Sequence, residues 1–146
     1  MSESMDAWAR RYAEFFSQLR EPDLARLDEL FTADARFKDP FNDVTGLEQI
    51  AAVFRHMFRQ CPAPRFYVHC WAVQGNTAFF HWRFMDRDEG ADGRLHLDVD
   101  GISRVLFNDE GKVFSHIDYW DPAEYLYDQI PLLGGLLRFV RRRIGS

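Results

Sequence analysis

Several large classes of protein are excluded by what this chain has little of. It carries only two cysteines, Cys61 and Cys70, with no CxxC pair and no finger spacing. That rules out a disulfide-stapled scaffold and a zinc-finger module. No uninterrupted apolar run approaches the roughly 20 residues needed to span a bilayer. The opening "MSESMDAWARRYAEFF" lacks the basic start and apolar block of a secretory signal. Positive charge is in deficit: 18 Lys and Arg against 23 Asp and Glu give a net charge of −5, the wrong sign for a nucleic-acid partner. There is no HExxH, P-loop, dinucleotide fingerprint or nucleophile elbow. The expectation is a soluble, reduced, cytoplasmic protein with no nucleic-acid partner, metal or cofactor.

Aromatic residues, by contrast, are abundant. They make up 16% of the 146 residues, 14 of them phenylalanine, within a hydrophobic fraction of 47%. A chain of this length falls in the single-domain range. Its aromatic load suits a large apolar interior with room for a cavity.

The order of patterns predicts an α+β domain. Trp8, Tyr12, Phe15, Phe16 and Leu19 repeat at helical spacing. "REPDLARLDELF" predicts a second helix with Pro22 in its first turn and Leu24, Leu27, Leu30 and Phe31 along one line. "TGLE" at 45–48 has the form of a capping box, led by Thr45, and launches a third helix with Leu47, Ile50, Val53, Phe54, Met57 and Phe58 inward. "CPAP" ends it. From Arg65 onward "RFYVHCWAV", "NTAFFHWRFMD", "RLHLDVDGISRVLF" and "KVFSHIDYW" read as strands, separated by the turn signals "QGN", "RDEGADG" and "NDEG". Short connectors favour antiparallel neighbours. The last stretch, "IPLLGGLLRFVRRRIGS", mixes leucines with Arg138, Arg141, Arg142 and Arg143. It reads as a C-terminal helix docked on the domain or a dimer partner, or as a basic amphipathic segment lying on an anionic membrane. Gly134 and Gly135 weaken it as one continuous helix. The division is therefore a domain over 1–129 and a basic tail over 130–146, with membrane contact through 131–144.

One short segment poses a question of chemistry. In "ARFKDPFND", residues 35–43, strand alternation puts Ala35, Phe37 and Asp39 on one side and Arg36 and Lys38 on the other. The acid follows a phenylalanine inward, and Pro40 fixes the backbone behind it. Asp39 is then either a pocket acid or the cap of an Asp-Pro turn. On the last strand, His116, Asp118 and Trp120 share a face, which makes His116 the histidine best placed for acid–base work in a pocket, or a sheet-face histidine with no task. His81, His96 and His116 sit on successive strands, but no close histidine pair supports a metal, and none is expected. Asp98 and Asp100 share a face with His96, opposite the stripe of Leu97, Val99, Gly101, Ser103 and Val105, and read as a solvated or dimer-facing surface.

The segments "RYAEFF…DLARLDELFTADARFKDPF…G", "FHWRF", "GISRVLFNDEGKV" and "HIDYWDP", in this order over residues 6 to 121, resemble the nuclear-transport-factor-2-like superfamily. That group includes ketosteroid isomerases, SnoaL-like polyketide cyclases and limonene-type epoxide hydrolases. The resemblance implies a cone: a strongly curved, mainly antiparallel sheet wrapped around three N-terminal helices, with a ligand pocket at the open end and a helical tail added here. By likeness to the isomerases, Asp39 is the proton shuttle and Tyr12 the phenolic donor to an oxyanion; Tyr12 is otherwise a core tyrosine bonded to a backbone carbonyl. Their third group, a protonated acid, falls on Ser103. By likeness to the epoxide hydrolases, Arg83 and Asp118 form a pair, while the first acid of that relay falls on Met85 and breaks it. Phe37, Phe54 and Trp120 would line the apolar wall. The resemblance further implies a homodimer through the outer sheet face, with Phe80, Trp82 and Phe84 as its aromatics.

Two functions follow as expectations. One is a cofactor-free isomerase, cyclase or hydratase for a small hydrophobic carbonyl-bearing molecule. The other is a non-catalytic lipid-like ligand-binding or assembly module, associated with a membrane surface through its tail.

Overall fold

The computed structural model describes residues 4–61, 63–86 and 97–145. Helix α1 (Met5–Ser17) is capped by the Ser4 hydroxyl, which accepts from the Ala7 N–H at 3.2 Å. It buries Ala9, Tyr12, Ala13 and Phe16. The predicted second helix is a 3-10 helix, Glu21–Glu29. Its physical reason is in the spacing: Leu24, Leu27 and Leu30 are all buried and recur every third residue, the period of three residues per turn.

Strands β1 (Phe31–Lys38) and β2 (Asp43–Thr45) form a hairpin, followed by helix α2 (Leu47–Gln60). The expected capping box is absent. Thr45 is spent in β2, opposite Arg36, and Gly46 stands at the N-cap with φ +98° and no side-chain cap. Strands β3 (Pro64–Gln74), β4 (Thr77–Asp86), β5 (Asp98–Phe107) and β6 (Val113–Tyr119) follow where the aromatic and β-branched runs predicted them. The turn predicted at "RDEGADG" lies outside the described residues. A short helix α3 (Pro122–Tyr125), a 3-10 turn (Tyr127–Gln129) and helix α4 (Leu133–Ile144) complete the chain.

The six strands of the described residues form one curved, unclosed sheet in the order β2-β1-β6-β5-β4-β3. Every pairing is antiparallel except β1 with β6, which is parallel. Register shifts interrupt the β1–β6, β3–β4 and β5–β6 ladders. Such irregularities bend a strand and sharpen its twist, which lets the sheet wrap its helices. α1 and α2 fill the concave side, where Phe31, Ala35 and Phe37 of β1 meet Ile50, Ala51 and Phe54 of α2 in the core.

Phe80, Trp82 and Phe84 belong to this inner face and are buried, contrary to the outer, dimer-facing position expected of them. Alternation had two phases open, and the apolar triplet takes the concave one; Phe79, His81 and Arg83 face outward instead. Gly101 lies opposite Trp82 across the β4–β5 ladder. A Cβ there would stand 2.5 Å from the indole Cη2, so the glycine is what lets the indole lie flat over β5. Gly101→Ala is expected to destabilise the fold by about 1–3 kcal/mol through this overpacking, read from the midpoint of urea denaturation.

The tail forms a helix because its glycines fall in the first turn of α4, not its middle. At Gly134 a Cβ would meet the Asp128 carbonyl oxygen, so glycine permits the close contact with the 3-10 turn. Asp128 also accepts from Arg138 and Arg141 at 3.4 Å each. The apolar ridge of Leu132, Leu136, Phe139 and Ile144 is exposed, 92% at Leu132 and 81% at Ile144.

Candidate functional site

The concave face carries two buried polar side chains, Ser103 and His116, among aromatic walls. They belong to a continuous run of hydrogen bonds. Trp82 Nε1 donates to Ser103 Oγ at 2.7 Å. Ser103 Oγ donates to Asp118 Oδ1 at 2.5 Å. His116 Nε2 lies 2.6 Å from that same oxygen, and His116 Nδ1 lies 2.7 Å from the Tyr12 hydroxyl. The strands set this up directly: Ser103 is opposite Asp118 in the β5–β6 ladder, and His116 is two residues from Asp118 on one face.

The donors fix the tautomer. A carboxylate only accepts, so Nε2 carries the proton toward Asp118, leaving Nδ1 to accept from Tyr12 O–H. With this assignment every donor in the run has an acceptor. Phe37, opposite His116 in the parallel β1–β6 pairing, stacks on its ring at 4.7 Å between centroids and 18° between planes. Burial pushes the Tyr12 phenol well above its ordinary range, and the negative charge of Asp118 adds to this. The phenol is thus held as a neutral donor. Below the ordinary pKa of 10.0 this costs nothing, whereas above it the unfolded chain ionises first and stability falls as pH rises. Tyr12→Phe is expected to lose less stability between neutral pH and pH values above that point than the parent does, as measured by urea denaturation.

These groups line a hollow of about 40 Å³ with Ala13, Phe16, Phe54, Phe66, Val68 and Phe80. That is space for a few waters, since one needs on the order of 10–15 Å³ by this measure. Two larger spaces adjoin it. Phe16 and Phe66 also line a depression of about 870 Å³ bounded by α1, the 3-10 helix, α2 and β3, with Phe15, Leu19 and Met57 beside Arg20, Arg26 and Arg65. Asp118 also lines an open groove of about 490 Å³, shared with Lys38, Asp39, Pro40, Trp120 and Asp121.

The structure therefore brings together Tyr12, His116, Ser103, Asp118, Phe37 and Phe54 in one hollow. Asp39 and Trp120 stand in the adjoining groove. The Asp39 carboxylate is half-buried and taken up by its own turn: it accepts from Phe41 N and Asn42 N at 2.8 Å and from Asn42 Nδ2 at 3.0 Å. Arg83 and Asp118 form no pair, because odd positions of β4 face outward while Asp118 faces in. Arg83 instead grips Asp98 at 2.6 and 2.7 Å on the convex face. His81 and His116 lie on opposite faces of the sheet for the same reason, and His96 lies outside the described residues. Trp82 is the member that sequence reasoning missed. Its signal was the lone glycine in β5, a mark of close approach by a neighbour.

A strongly curved sheet wrapped on its helices, around a buried carboxylate–imidazole–phenol run, gives the domain the form of a cone. The chain belongs to the SnoaL-like domain family, whose pattern matches residues 9–116. A SnoaL-like protein from Agrobacterium tumefaciens, provisionally assigned as an isomerase, is 22% identical with a TM-score of 0.64 over 80% of this chain and 97% of its own. A candidate SnoaL-like polyketide cyclase from Jannaschia sp. is 17% identical with a TM-score of 0.65 over 83% and 91%. A nuclear-transport-factor-2-like protein of unknown function from Burkholderia pseudomallei is 16% identical with a TM-score of 0.67 over 82% and 92%. At these identities the likeness establishes the fold. Comparison with curated proteins yields no match.

Proposed function

We propose that this protein catalyses a cofactor-free proton transfer, an isomerisation or cyclisation, on a small hydrophobic molecule with an enolisable carbonyl. The observation that carries this reading is the directed run from Tyr12 through His116 to Asp118. When a carbonyl oxygen accepts from the Tyr12 hydroxyl in place of His116, Nδ1 is released as a base. It takes the proton from the carbon beside the carbonyl, and the C–H electrons move onto the oxygen. Tyr12 stabilises that oxyanion, and Asp118 stabilises the imidazolium. Return of the proton from Nδ1 to a different carbon completes an isomerisation. Attack of the enolate carbon on a second carbonyl, with Nδ1 protonating the new alkoxide, completes a cyclisation. Asp39 is assigned to shaping the groove, not to moving the proton. The reacting end enters as Phe16 and Phe66 turn aside, since the hollow at rest is too small for an organic substrate. The test is exchange of the acidic C–H protons of hydrophobic ketones in deuterated water, followed by NMR. Exchange catalysed by the parent and retained in Asp39→Asn supports this assignment; loss in Asp39→Asn moves the shuttle to that residue.

The tail favours a second role beside the first. Among the described residues no helix is long and apolar enough to cross a membrane, but α4 pairs an exposed apolar ridge with Arg138, Arg141, Arg142 and Arg143. That composition suits an anionic bilayer surface. Deleting residues 131–146 is expected to abolish sedimentation with vesicles containing phosphatidylserine. Equal sedimentation of the truncated chain would end this role.

A further inference from the structure

The convex face carries a cluster with no part in the proton-transfer hollow. His69 of β3, His81 of β4 and Asp100 of β5 bring one ligand-capable atom each to within 4.8 Å of one another. His81 Nε2 lies 2.8 Å from Asp100 Oδ1, and the two imidazole centroids are 4.9 Å apart. The backbone builds this arrangement. The register shift between Val68 and Cys70 places the His69–Cys70 step against His81, as a bulge does when two residues face one. In the β4–β5 ladder Asp100 is opposite Arg83, so it is the diagonal neighbour of His81 on the same face.

We propose that His69, His81 and Asp100 form a binding site for a first-row divalent cation of the zinc type. Two imidazole nitrogens and one carboxylate oxygen suit zinc and its neighbours and do not suit magnesium or calcium, which take oxygen sets. Three protein ligands on an open face leave coordination positions for water. Donors 2.0–2.1 Å from a tetrahedral ion are about 3.4 Å apart, so the widest separation in the cluster must close. Rotation of the exposed His69 and Asp100 side chains can supply that without moving the strands. The neighbouring cation does not compete for the acid, because Arg83 is held in a two-bond grip by Asp98. Asp98 and Asp100 set two carboxylates beside the guanidinium of Arg83. An ion here would clasp three adjacent strands from the outside.

The experiment uses the full chain stripped of metal, titrated with zinc by calorimetry and followed in parallel by thermal unfolding. The expected result is saturable binding of one zinc per chain, a Tm that rises with zinc, and no comparable binding of magnesium. The double variant His69→Ala/His81→Ala should bind at least about tenfold more weakly, since loss of even an outer partner costs that much, and its Tm should not respond to zinc. His56→Ala, on α2, should bind as the parent does. All three ligands are at the surface, and circular dichroism of each variant verifies the fold. No saturable binding, a stoichiometry other than one per chain, equal response to magnesium, an unchanged double variant, or loss of binding in His56→Ala would each overturn the site.

Discussion

His116→Ala is expected to lower catalysed proton exchange by about 10²–10⁴-fold, the usual contribution of a positioned acid or base. The size follows from its place in the run of bonds. His116 is the only member that touches both Tyr12 and Asp118, so removing it takes away the base and also disconnects the phenol from the carboxylate. Tyr12→Phe should cost less, because the base and its carboxylate remain and only the oxyanion donor is lost. Asp39→Asn should stay near the parent, as its turn can still be held by an asparagine oxygen accepting from Phe41 N and Asn42 N. Rates of deuterium incorporation for the three variants, measured on one ketone, give the ranking. An Asp39→Asn loss exceeding that of His116→Ala would invert the assignment.

Asp118→Leu is expected to have the largest effect on stability, roughly 2–6 kcal/mol, because it strands two buried donors at once and each unsatisfied group costs on the order of 1–3 kcal/mol. Ser103 and His116 both direct their protons at Asp118 Oδ1. Ser103 in turn accepts from Trp82, so the disturbance passes to the indole over Gly101. Asp118→Asn keeps an acceptor oxygen at the same point and should be markedly milder in urea denaturation. Both variants should lose exchange activity, since neither can stabilise an imidazolium. Equal stability losses for leucine and asparagine would mean that the carboxylate's charge, and not its acceptor geometry, holds the site together.

Much of the fold was legible because periodicity survives without a structure. The inward stripe of β5 and the strand positions of β3, β4 and β6 were readable from alternation and turn residues. The second helix is legible as a helix but not as a 3-10 helix, although its leucines recur every third residue, since a line of three such positions also fits an α-helical face. The site was half legible. Tyr12 and Ser103 stand out together by likeness to the isomerases, and His116 and Asp118 by sharing a face of β6, with nothing in the sequence to join the two pairs. What joins them is register: which residue of β5 lies opposite Asp118, and which turn of α1 reaches His116, depend on ladder phase and helix docking that a single sequence does not encode locally. The same absence of phase information left Phe80, Trp82 and Phe84 assigned to the outer face, while the match of Arg83 with Asp118 followed from the likeness to epoxide hydrolases and gives way to Arg83 with Asp98.

The parallel contact of β1 with β6 has a consequence for how the chain is made. The opening strand sits inside the sheet, with one edge reserved for Phe31–Lys38's last partner, Val113–Tyr119. During synthesis that edge stays open until the ribosome has released nearly the whole domain, so the early helices and hairpin wait with their greasy sides uncovered. Truncated chains ending before Val113 should be substrates for chaperones and proteases, not small folded proteins.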